Sequence, residues 1–87
     1  MSRVRVLVID GQGGGLGRQL TAALAAGCPD IELTAVGTNS IAASAMLKAG
    51  AARAATGENA VVVNARRADI IVCLLYTSPS PRDTERS

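Results

Sequence analysis

The segment that most constrains the fold is a short apolar run followed directly by a glycine cluster. Val4–Ile9 is apolar except for Arg5, a composition typical of a strand buried on both faces of a parallel sheet. Five glycines then fall within residues 11–17. Beyond them, apolar residues recur at helical spacing at Leu16, Leu20, Ala23 and Leu24. A strand, a glycine turn and a helix in this order predict the start of an α/β domain.

The same alternation continues along the chain. The further predicted strands are Ile31–Val36, a short one within Ala51–Ala55, and one that opens at Asp69–Val72. The first helix is expected to stop at Gly27, with Pro29 just beyond it, and the second to cover 41–49 and end at Gly50. The third is expected to run from Gly57 to about Arg67, with Thr56 as its cap. A valine triplet inside residues 57–67 suits a strand equally well, so that segment stays open between helix and strand. The pattern predicts a Rossmann-like, doubly wound parallel sheet interrupted after the start of its fourth strand.

Composition excludes several functional classes. The chain has no His, and Cys28 and Cys73 are isolated, so we expect neither a zinc-finger metal site nor His-based catalysis. The formal net charge of +2 is too small to indicate a nucleic-acid partner. No apolar run reaches the ~18 residues needed to span a membrane. We expect a cytoplasmic protein, and the sequence leaves its oligomeric state open.

The composition changes abruptly after Val72. The last fifteen residues contain two of the three prolines and the only aromatic residue, but no Ala or Gly. Read back into codons, Cys73–Asp83 resembles an in-frame translation of a transposase adaptor used in preparing sequencing libraries. We therefore predict that residues 1–72 are the N-terminal part of a domain and that 73–87 are a non-native, disordered tail. The open sheet edge that this leaves predicts poor solubility.

The glycine cluster lies where a phosphate-binding turn belongs, between a strand and the helix that follows it. Glycines let a ligand approach the backbone closely, and the first N–H groups of a helix attract anions. The candidate binding residues are Asp10, Gly11, Gln12, Gly13, Gly14, Gly15 and Gly17. A nucleoside-triphosphate P-loop is excluded because it needs Gly-Lys-Ser/Thr, whereas this chain has Gly17-Arg18-Gln19. The alternative is a tight structural turn without a ligand.

Two features restrain a dinucleotide interpretation. The carboxylate of Asp10 lies beside the proposed phosphate position, where two anions repel unless a metal ion or a donor intervenes. The predicted second strand is followed by Thr38, Asn39 and Ser40 and lacks the acidic residue that usually holds the ribose of NAD. These polar residues either bind a ligand or cap the next helix.

The first resemblance is to the cofactor half of the short-chain dehydrogenases. Gly11, Gly15 and Gly17 match the Gly-x-x-x-Gly-x-Gly turn of those enzymes, and Asp69–Val72 matches the start of a later strand. That resemblance implies NAD(P) as a cofactor. Asp10 replaces their usual small or hydroxyl residue, and their Tyr-x-x-x-Lys catalytic pair is missing from this sequence.

A second resemblance covers nearly all of residues 3–72. The blocks VRVLVIDGQGGGLGRQL, TAVGTNSIAASAMLKAGA and ATGENAVVVNARRADIIV resemble a family of short bacterial proteins with an Asp-Gly-Gln-Gly-Gly-Gly motif. That family is described only as a domain of unknown function. The resemblance implies a Rossmann-like fold that continues past Val72, and it makes Asp10–Gly15, Gly37–Asn39 and Thr56–Asn59 the motif positions. In a parallel sheet, all three groups fall at the carboxyl ends of strands, which adds Thr38, Asn39, Glu58 and Asn59 as candidate binding residues.

The sequence is compatible with three functions. The leading hypothesis is a module that binds a nucleotide or another phosphorylated small molecule at the glycine-rich loop. The second is an NAD(P)-dependent oxidoreductase fragment without its catalytic half. The third is a non-catalytic regulatory or interaction module whose glycine turn is only structural.

Overall fold

The computed structural model describes residues 3–11 and 15–74 of the chain. Strands and helices alternate throughout this part. The strands are β1 (Val4–Asp10), β2 (Ile31–Gly37), β3 (Arg53–Thr56) and β4 (Ile70–Leu74), and the helices are α1 (Gly15–Gly27), α2 (Ser40–Ala49) and α3 (Glu58–Ala65). None of the helices in the described residues is long and apolar enough to cross a bilayer.

The strands form one sheet in the order β3-β2-β1-β4, and every neighbouring pair is parallel. β1 lies inside the sheet, with Val4 opposite Ile31 of β2 and Val6 opposite Ile70 of β4. The chain therefore moves outwards from β1 through β2 to β3 and then returns past β1 to β4. This order confirms the predicted α/β fold class with a Rossmann-like parallel sheet.

Helices pack on both faces of the sheet. On one face, Val6 and Val8 of β1 and Leu33 and Ala35 of β2 form a buried cluster with Met46 of α2. Helix α1 contacts β1, β2 and α2 on the same side. Helix α3 contacts β1, β2 and β3 from the opposite side. Since β1 is covered on both faces, its central residues Val6, Leu7 and Val8 are at most 5% exposed, as the continuous apolar run predicted.

The sheet-facing side of α1 differs from the predicted apolar stripe. Gly17 and Thr21 are the buried residues of this helix, whereas Leu16 is 47% exposed. Leu20 and Leu24 are only partly buried against the core. The helix turns its smallest residue toward the sheet because it crosses close to the end of β1, where a leucine side chain would not fit.

The third helix settles the open assignment of residues 57–67, since the valine triplet is helical. Its predicted cap was wrong. Thr56 is the last residue of β3, and the N-cap position belongs to Gly57, which has a φ of +99° and no side chain to donate or accept. Packing against three strands stabilises α3 despite the low helix propensity of its valines.

Strand β4 is less covered than its apolar sequence predicted. Ile70 and Ile71 point to opposite faces and are 51% and 48% exposed, because none of the described helices packs across this strand to any extent. The strand continues through Cys73 and Leu74, which pair with Ile9 and Asp10, two residues past the predicted boundary at Val72. The rest of the predicted tail, 75–87, lies outside the described residues.

We expect Gly50→Ala to destabilise the fold. Gly50 caps α2 with a φ of +131°, and an added Cβ would lie 2.6 Å from the Cβ of Ala25 in α1. Backbone strain and overpacking together should lower the free energy of unfolding by about 2–4 kcal/mol, measured by urea denaturation. Gly27→Ala is the control, since its Cβ would meet no atom within 4 Å. Equal losses in both variants would contradict the packing argument.

We also expect Ile70→Lys to reduce self-association. Ile70 is half-exposed on β4, the outermost strand on its side of the sheet among the described residues. Such a residue favours edge-to-edge pairing between copies, and a lysine opposes it. Light scattering after size exclusion should show less associated material for this variant. Ile41→Lys changes an isoleucine that is 80% exposed on a helix and should have no effect. A monomeric parent chain would refute the prediction.

Candidate functional site

A cleft of about 250 Å³ opens at the carboxyl ends of β1, β2 and β3. We call it the carboxyl-edge cleft. Its lining consists of Ile9, Asp10, Gly11, Val36, Gly37, Thr38, Gly57, Glu58 and Val61. These residues come from the ends of β1 and β2, from the residue after β3 and from the first turn of α3. They lie together because the strands are parallel. Folds of this class bind ligands at this edge of the sheet.

The end of β1 is shaped by a close contact between Asp10 and Gly17. Asp10 is 1% exposed, and a Cβ added to Gly17 would lie 2.8 Å from its Cβ and Cγ atoms. Gly17 therefore provides the space in which the Asp10 side chain sits under the first turn of α1. The carboxylate lies near the positive end of the helix dipole, which is an electrostatically favourable position for a negative charge.

Of the polar residues after β2, one caps the next helix and another lines the cleft. Asn39 is the N-cap of α2, and its Oδ1 accepts a 2.8 Å hydrogen bond from the Ala42 N–H. Thr38, one residue earlier, lines the carboxyl-edge cleft. A Cβ on Gly37 would lie 2.8 Å from the Ala43 nitrogen, so this glycine lets α2 start directly against the strand.

The end of β3 contributes the far side of the cleft. Gly57 adopts a positive φ, which turns the chain sharply from the strand into α3. Glu58 follows as the first residue of that helix, where its carboxylate complements the dipole. Val61, one turn later on the same side, also lines the cleft.

The cleft has apolar walls and one exposed carboxylate. Ile9, Val36 and Val61 provide the apolar surface and Glu58 provides the carboxylate, whereas the side chain of Asp10 is buried under α1. No Lys or Arg belongs to its lining among the described residues. Arg18 lines a groove between α1 and α2, and its Nη2 would lie 3.8 Å from a Cβ on Gly15 at the start of α1. The arrangement suits a ligand with an apolar ring and hydroxyl or amine donors, because carboxylates accept such hydrogen bonds.

The structure brings part of the predicted site together. Asp10, Gly11, Thr38 and Glu58 line the cleft. Gly15 is exposed at the start of α1, Gly17 is buried against Asp10, Asn39 caps α2, and Asn59 is exposed outside the lining. Gln12, Gly13 and Gly14 lie outside the described residues.

Sequence reasoning did not select the apolar walls. Ile9 and Val36 read as ordinary strand residues, and Val61 belonged to the ambiguous triplet. The strand period of two was the available signal: Ile9 and Val36 alternate with the Val8 and Ala35 of the core cluster and so face the α3 side. The sequence did not show which face of the sheet α3 covers, and this is the information needed to assign Ile9 and Val36 to the cleft.

Among the described residues, no group of three or more His, Cys, Asp or Glu is placed to hold a metal ion.

Comparison with known proteins supports the resemblance seen in the motifs. The sequence matches the family described as a domain of unknown function (DUF3842) over residues 5–77. No curated protein and no solved structure has significant similarity to the chain. Since the match spans all four strands and most of the chain, this protein belongs to the DUF3842 family of domains of unknown function.

Proposed function

We propose that this protein binds a nucleotide or another phosphorylated small molecule in the carboxyl-edge cleft. The observation that carries the proposal is the convergence of three sequence blocks on one cavity. Gly11 follows β1, Thr38 follows β2 and Glu58 follows β3, and all three line the same cleft. A parallel sheet that binds a ligand does so at this edge.

The apolar walls favour a ligand with a planar ring. The side chains of Ile9, Val36 and Val61 can pack on both the face and the edge of a heterocycle. The carboxylate of Glu58 and the hydroxyl of Thr38 can accept hydrogen bonds from ribose hydroxyls. A nucleoside moiety offers both kinds of surface, which is why a nucleotide fits the cleft better than a bare phosphate ion.

The start of α1 is the proposed phosphate position. The first N–H groups of a helix have no partner inside the helix, and they point toward incoming anions. Gly15 is exposed there, and among the described residues an added Cβ would find only Arg18 Nη2 within 4 Å, at 3.8 Å. The buried Asp10 carboxylate lies near the same helix end and opposes a second negative charge. We therefore expect modest affinity, with the ring and hydroxyl contacts contributing much of it.

Gly15→Ala should weaken ligand binding without loss of stability. The added methyl group has space among the described residues but would keep a phosphate away from the backbone N–H groups. We expect the Kd to rise about tenfold for whichever of NAD, NADP, ATP or FMN binds the parent chain in a calorimetric titration.

Gly17→Ala serves as the comparison for that variant, because its Cβ would overlap Asp10 and should lower the unfolding midpoint as well. The absence of binding by all four ligands at millimolar concentration would refute the proposed function. Unchanged affinity in Gly15→Ala would show that the glycine turn is only structural.

Glu58→Ala tests the ribose side of the cleft. Loss of the carboxylate acceptor should raise the Kd for the same nucleotide about tenfold, measured by the same titration. Asn59→Ala is the matched control, since Asn59 is the neighbouring residue and lies outside the lining. Tighter binding by Glu58→Ala would mean that the carboxylate repels the ligand, contrary to the assigned role.

A further inference from the structure

A second cavity, of about 360 Å³, lies on the α3 side of the sheet near the amino ends of the strands. We call it the arginine cleft. Its polar lining comprises Arg5, Glu32, Thr34, Arg53, Asn64 and Arg67. The proposed nucleotide site is at the opposite ends of the same strands, and the two cavities share no residue.

Three arginines from separate parts of the chain line this cavity. Arg5 is the second residue of β1, Arg53 is the first of β3, and Arg67 follows α3. The strand register explains the convergence, because Arg5 is opposite Glu32 and Arg53 is opposite Thr34. A sheet face covered by a helix ordinarily carries apolar side chains. Here α3 ends at Ala65, and the amino half of the face is polar instead.

The arginines are held in place by weak surface contacts. Nη2 of Arg53 lies 3.1 Å from Oε2 of Glu32, and the Arg5 backbone N–H donates a 2.8 Å hydrogen bond to Asp69. The Arg5 Nε is 3.9 Å from the same Asp69 carboxylate. Exposed pairs of this kind contribute little free energy, so an incoming anion can compete for the guanidinium groups.

Arg67 makes no ion pair with any residue that the structure describes. Of the other two arginines in the lining, Arg53 pairs with Glu32 and Arg5 lies 3.9 Å from Asp69, a carboxylate just outside the lining. The guanidinium group of Arg67 is therefore the positive charge in excess among these described residues. Guanidinium groups bind carboxylate and phosphate oxygens through paired N–H donors, and the Thr34 hydroxyl adds a further donor.

We infer that the arginine cleft is a binding site for a small multivalent oxyanion, a molecule that bears two or more carboxylate or phosphate groups. One such group is held between Arg5 and Arg53, and a second is held by Arg67. The site is independent of the proposed nucleotide function and stands or falls separately from it.

The test is a calorimetric titration of the full chain at low salt. Citrate is the ligand in the first experiment and inorganic phosphate in the second. Citrate should bind saturably in the millimolar range or tighter, and more weakly as salt is added. Arg67→Gln should raise the Kd about tenfold, the loss expected from a charge-assisted contact. Arg66→Gln removes the same charge from the adjacent residue, which lies outside the lining, and should leave the Kd unchanged.

Each outcome decides the proposal. Citrate binding lost in Arg67→Gln but kept in Arg66→Gln and in Glu58→Ala supports a site separate from the carboxyl-edge cleft. Equal weakening in Arg66→Gln and Arg67→Gln would show only unspecific charge attraction and would overturn it, as would the absence of saturable binding. The phosphate arm distinguishes a phosphate-type ligand from a carboxylate-type ligand. Arg53→Gln is a second probe, with circular dichroism to confirm that both variants fold.

Discussion

The structure depends on β1 being buried on both faces and hydrogen-bonded along both edges. Its central residues Val6, Leu7 and Val8 are almost fully excluded from solvent, and β2 and β4 pair with it on either side. A strand in that position has to be apolar on successive residues, and its neighbours have to run parallel for the connecting helices to cover both faces. Helix α1 therefore starts near the carboxyl end of β1, and the carboxyl ends of β2 and β3 lie at the same edge of the sheet.

Close approach between backbone and side chain then shapes the candidate site. The missing side chain of Gly17 lets α1 cross over the Asp10 carboxylate, and that of Gly37 lets α2 start against the end of β2. These contacts are structural, so part of the glycine content serves packing. At the exposed Gly15, no atom of the described residues would lie closer than 3.8 Å to an added Cβ. Packing in the described part of the chain therefore requires a glycine at positions 17 and 37 but not at position 15.

Much of the fold could be predicted because its signals are local. The apolar runs indicated the strands, and glycine with proline after α1 and Gly50 after α2 marked helix ends that the structure retains. The valine triplet in α3 could not be assigned from the sequence, because its periodicity suits both structures and only packing against three strands makes it helical. The exposure of β4 was missed for a similar reason. An apolar run indicates that a strand can be buried, but whether it is buried depends on the helices and strands that pack against it.

By itself, the sequence determined the alternation of strands and helices, the parallel sheet and the edge at which three motif blocks meet, because hydrophobic period and glycine chemistry act over a few residues. Only the tertiary structure decided which polar residue of the Thr38–Ser40 group faces the cleft and which caps a helix. It also decided that Ile9, Val36 and Val61 form the walls, and that three distant arginines share one cavity. These outcomes depend on strand register and on the face where each helix packs, and both are set by contacts between residues far apart in the chain.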